Sequence, residues 1–104
     1  MVVSYAHVPV LAGLLFLMGM FCLVSRRNLI MMVLGLEIML NASAVAFVGA
    51  ALRWQHLDGQ AMAIFIIAVA AAEVSIGLGL IVWIYRRTGT VDAGCIETDA
   101  CRID

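Results

Sequence analysis

The chain has 104 residues, 65% of them hydrophobic and 12% charged, with six Arg, no Lys and a formal net charge of -1. An ordinary soluble domain is nearer half apolar and a quarter charged, and a water-soluble chain this short buries only about 60–65% of its unfolded surface. That excludes a soluble enzyme, a secreted disulfide scaffold, a disordered protein and, for want of a basic surplus, a nucleic-acid binder; the solvent for most of this chain has to be lipid.

The first apolar run is Val8 to Val24. As a helix it measures ~26 Å, a little short of the ~30 Å hydrocarbon core. Tyr5, Ala6 and His7 extend it into the interface, which predicts a helix over about 6–24. Pro9 suits the first turn, where its missing N–H costs nothing. The run is no cleaved signal peptide, because its arginines follow the apolar stretch instead of preceding it. Cys22 reads as a small packing residue. Ser25-Arg26-Arg27-Asn28 forms the first connection. The second run predicts a helix over 29–52, and the third a helix over 61–85, both long enough to cross with some tilt. Between them Asp58-Gly59 is a turn signal. The expected fold is therefore an all-α integral membrane protein of three transmembrane helices in a single domain, followed by a polar tail over 88–104.

Arg26 and Arg27 lie at one end of this bundle, and Arg86 and Arg87 at the same end. The opposite end has Arg53 alone. The positive-inside rule then puts the N-terminus outside and the tail in the cytoplasm. Trp54 and the pair Trp83 and Tyr85 fall at opposite ends, as interfacial anchors do. Cys95 and Cys101 lie in the tail at a spacing that fits no zinc motif.

Redox chemistry has no seat in these spans. The two histidines, His7 and His56, are at the outer edge, so no haem is held between helices. There is no cysteine cluster for iron–sulfur and no glycine-rich turn for a dinucleotide. Ser43 and Ser75 have no base beside them in the spans, and serines in such helices usually bond a backbone carbonyl. The stripes Ala42, Ala46, Ala50 and Ala68, Ala72, Gly79 read as packing seams.

The informative residues are Glu37 and Glu73, the two acids inside apolar runs. An ionised carboxylate at mid-membrane costs at least ~3 kcal/mol. No Lys or Arg within a span neutralises either one. An acid that exchanges a proton at that depth is what a proton relay requires; the competing reading is a protonated side chain donating one structural hydrogen bond. Counted from the cytoplasmic ends of their runs, Glu37 is ~12 Å deep and Glu73 ~18 Å deep, an offset of ~6 Å. Asn41, one turn from Glu37, can orient water or bond across to another helix. Ala70 and Gly77, on the same face as Glu73, leave room for water or a close neighbour.

Two stretches carry a family resemblance. Arg26-Arg27-Asn28-Leu29 with Gly35-Leu36-Glu37-Ile38-Met39-Leu40-Asn41-Ala42-Ser43 is one. Asp58-Gly59-Gln60 with Ala71-Ala72-Glu73-Val74-Ser75-Ile76-Gly77-Leu78 is the other. Together, over about Leu11 to Arg87, they resemble subunit K of bacterial respiratory complex I, called ND4L in mitochondria. The resemblance implies a membrane-arm subunit of a proton-translocating NADH:quinone oxidoreductase in the bacterial cytoplasmic membrane. It implies that Glu37 and Glu73 are the family's membrane glutamates, acting in proton relay or charge coupling, with Arg26 and Arg27 as its paired loop arginines. It implies that NADH, FMN, iron–sulfur clusters and quinone are bound elsewhere in the complex, with no cofactor on this chain. Its expected neighbours are subunits A, J and N, together with membrane lipid. Alternatives are the related three-span component of a multisubunit cation/proton antiporter or membrane-bound hydrogenase, and a purely structural membrane subunit.

Overall fold

The computed structural model describes residues 5–94. Three helices follow in order: α1, His7–Ser25; α2, Leu29–Trp54; and α3, Asp58–Thr88. Each is long and apolar enough to cross a membrane. α2 is the middle helix, packed on α1 along one side and on α3 along the other. The result is an open row of helices, 59 Å long and 24 by 19 Å across.

The helix ends follow from local chemistry. Asn28 caps α2, its Oδ1 accepting from the Ile30 N–H at 2.9 Å. α2 ends on Gln55 in the left-handed region, with its N–H directed to the Ala51 and Leu52 carbonyls. The Asp58-Gly59 pair does not make the turn expected of it. The turn is made by Gln55 to Leu57, and Asp58 opens α3, where an acid complements the helix dipole. Gly59 is a glycine for packing instead: a Cβ there would collide with the Phe47 carbonyl oxygen and with Ala51. α3 also continues to Thr88 and stops at Gly89, whose φ of 74° closes the helix.

Close approach of small residues sets the α1–α2 contact. Gly19 lies on Gly35, and a Cβ on Gly35 would fall 2.8 Å from the Gly19 carbonyl oxygen. Near the other end Gly49 lies under Val8. Gly35, Ala42 and Gly49 are all buried and recur every seven residues, the repeat of a seam between helices in left-handed packing. The seam expected from sequence is therefore corrected: of Ala42, Ala46 and Ala50, only Ala42 lies in it, and the other two are exposed. On α3, Ala68, Ala72 and Gly79 are exposed as well. The serines behave as expected, Ser43 donating to the Met39 carbonyl at 3.2 Å and Ser75 to the Ala71 carbonyl at 2.9 Å. Cys22 is half-buried and donates to the Met31 carbonyl across the α1–α2 contact.

Beyond Gly89 the chain turns back instead of leaving the helices. Val91 accepts from the Leu29 N–H at 2.8 Å, and the Ala93 N–H donates to the Arg27 carbonyl at 2.6 Å. Asn28 and Asp92 thus form an isolated antiparallel bridge. This strap ties the end of α3 to the α1–α2 connection, so both basic segments sit at one end of the molecule. Cys95 and Cys101 lie outside the described residues.

Candidate functional site

Glu37 is set by α2 and Glu73 by α3, and the two carboxylates line one groove of about 280 Å³. Val33, Leu36, Ile76 and Gly77 line the rest. The register of the antiparallel pair explains the meeting. Val33 packs over Gly77, where a Cβ would lie 3.6 Å from Val33 Cγ2. From that contact Glu37 is four residues further along α2, and Glu73 four residues back along α3. Both steps run the same way along the pair and cover ~6 Å each. The glutamates therefore sit at the same level. The ~6 Å offset expected from counting inward from the ends of the apolar runs does not hold, because α3 overshoots the start of α2 and its end is no reference for depth.

The groove is open on one side. Glu37 is half-buried and Glu73 exposed. Among the described residues neither carboxylate has a hydrogen-bond or ion-pair partner. Gly77 keeps the floor low, and Val33, Leu36 and Ile76 make the walls apolar. An open apolar trough with two acids at one level can hold water between them or accept a polar group from a neighbouring helix.

The other candidates lie apart from it. Asn41 is exposed and is not among the residues lining the groove. Arg26 ends α1 and Arg27 belongs to the strap junction; ~12 Å of helix separates Leu29 from Glu37. The Arg27 side chain lies against Gly94. At the far ends of the helices, Arg87 stacks over Trp83 at 4.8 Å and Arg53 over Trp54 at 5.4 Å. Among the described residues no group of three or more His, Cys, Asp or Glu side chains is placed to hold a metal ion. Val33 was not singled out by sequence. Its signal was its place one turn before Glu37, matching that of Gly77 one turn after Glu73.

Three helices long and apolar enough to cross a membrane, with two glutamates lining one lateral, open groove, define a polytopic all-α membrane protein. The sequence profile of NADH-ubiquinone/plastoquinone oxidoreductase chain 4L matches residues 7–98. NADH-quinone oxidoreductase subunit K 2 of Syntrophobacter fumaroxidans is 63% identical over 92 residues, 88% of this chain and 81% of that one. The subunit K 2 of Geobacter sulfurreducens is 52% identical over 94 residues, 89% of this chain and 92% of that one. Subunit K of Pseudomonas putida is 49% identical over 86 residues, 83% and 84% of the two chains. The chain belongs to this subunit K, or chain 4L, family. The match runs past Arg87 into the tail, further than the resemblance read from the two motifs.

Proposed function

We propose that this chain is a membrane-arm subunit of a proton-translocating NADH–quinone oxidoreductase, and that Glu37 and Glu73 act as one protonatable pair within it. The observation that carries this reading is their common level in a single groove between α2 and α3. Two acids so placed can share or exchange a proton through one bridging water. Charge arising from quinone reduction in neighbouring subunits then shifts the proton balance of the pair, and the pair passes that shift on toward proton-translocating subunits. The chain itself carries no redox step; NADH, FMN, iron–sulfur clusters and quinone belong to other subunits. Its neighbours in this reading are subunits A, J and N, in a bacterial cytoplasmic membrane. The four arginines at the strapped end support a cytoplasmic position for that end and an outer N-terminus. Arg26 and Arg27 serve there as topology anchors and as part of the strap junction, and Asn41 offers a hydrogen bond to a neighbouring helix.

The test is Glu37→Gln in assembled membranes. The amide keeps shape and hydrogen bonding but cannot exchange a proton. Proton-transfer groups contribute on the order of 10²–10⁴ in rate, so quinone-linked NADH oxidation and pumping should fall to about a hundredth or less while the complex still assembles. Normal pumping per NADH oxidised in both Glu37→Gln and Glu73→Gln would replace the relay with a structural hydrogen bond.

A further inference from the structure

We propose that the outer end of the α1–α2 pair is a binding site for one anionic phospholipid, its phosphate on Arg53 and an acyl chain in the groove beside it. A groove of about 260 Å³ runs between α1 and α2 at this end. Val8 and Pro9 of α1 and Ala46, Gly49 and Ala50 of α2 line it, and its rim is Arg53, Trp54 and Tyr5. Val8 covers Gly49, while the exposed Ala46 and Ala50 leave the space beside it open, and from Ala46 to Arg53 the groove is ~10 Å long. Such a trough takes a hydrocarbon chain lying along the helices.

The charge at the rim selects the headgroup. Arg53 is exposed and stacks on Trp54 at 5.4 Å, with no carboxylate within ion-pair reach among the described residues. Asp58, the one described acid at this end, lines a separate groove with His56 on the α2–α3 side. The guanidinium therefore offers its donors to the outer membrane–water boundary. It matches a phosphate oxygen pair in geometry as well as charge. Trp54 and Tyr5 supply the amphipathic rings that sit at headgroup level. Cation, interfacial aromatics and apolar slot are aligned in the order of a phospholipid's own parts.

The test uses the assembled complex in bilayers of phosphatidylcholine doped with either of two photoreactive lipids, a phosphatidylglycerol or a phosphatidylcholine with a diazirine in one acyl chain. The expected result is labelling of the 46–54 peptide, with phosphatidylglycerol favoured about fivefold, the effect of one basic side chain at a membrane surface. Arg53→Gln should bring phosphatidylglycerol down to the phosphatidylcholine level, and Arg53→Lys should retain much of the preference. Ala46→Phe fills the trough without touching the charge, and should abolish labelling by both lipids. Equal labelling by the two lipids, an Arg53→Gln variant that labels like the parent, or label found only on a neighbouring protein that covers the groove would each overturn the assignment.

Discussion

Glu37 and Glu73 face one groove from unequal positions, the first half-buried against α3 and the second exposed. Removing the acid from the more enclosed position is expected to cost more, so Glu73→Gln should lower pumping in the same direction but less than Glu37→Gln. The groove lining supports a sharper experiment. Val33 lines it one turn from Glu37, whereas Asn41, one turn the other way, does not. A double variant Val33→Glu with Glu37→Gln keeps a carboxylate in the groove, ~6 Å along the helix, and should restore part of the pumping. Asn41→Glu with Glu37→Gln places the acid outside and should restore none. Equal rescue by both, read as protons moved per NADH oxidised, would mean that the groove is not the path. Both glutamates were legible in sequence because an acid inside an apolar run is rare and costly. Their common level was not, since depth counted along one helix says nothing about how far its neighbour slides past it.

Packing between elements rests on backbone approach. The Gly19–Gly35 crossing leaves no room for a methyl group: a Cβ at either position meets backbone of the opposite helix within 3.0 Å. Backbone cannot swing aside as a side chain can, so Gly35→Ala should force α1 and α2 apart and cost about 1–3 kcal/mol. Gly13 and Gly79 are helical glycines with nothing within 4 Å of an added Cβ. Gly13→Ala and Gly79→Ala are therefore expected to be neutral or to gain up to about 1 kcal/mol from helix propensity. Thermal inactivation of the assembled complex ranks these variants. Sequence pointed to small residues but chose the wrong stripe on α2. Ala42, Ala46 and Ala50 follow a four-residue spacing that any helix face supplies, whereas the buried Gly35, Ala42 and Gly49 recur at seven. Choosing between them needs the identity of the opposing helix, which an all-round apolar run does not disclose. The Asp58-Gly59 turn failed for a related reason: Gly59 is required by Phe47 and Ala51 across the interface, a contact with no local signature.

At the scale of the molecule, three helices in an open row leave most large apolar side chains uncovered, Phe21, Ile64 and Ile76 among them. Among the described residues the row has no interior in which to hide two acids, so on the proposed reading neighbouring subunits cover the groove. Expressed alone the chain should be poorly dispersed in detergent, and a monodisperse monomer by light scattering would count against this. The strap agrees with the span count, which already returns the end of α3 to the α1–α2 connection. Its hydrogen bonds tie residues 27–29 to residues 91–93, so the tail has to emerge at the same end as the α1–α2 connection, whichever side of the membrane that end occupies. Cysteine labelling separates the two statements. Cys95 and Cys101 should react from the same side as a cysteine introduced by Ser25→Cys, and from the side opposite to one introduced by Gln55→Cys. The arginine distribution further predicts that the shared side is cytoplasmic, so an impermeant thiol reagent added to intact cells should reach only the Gln55→Cys position. Labelling of the tail and of Ser25→Cys together from outside would invert the molecule but leave the strap intact. Labelling of the two from opposite sides would contradict the strap itself, and with it the three-span row.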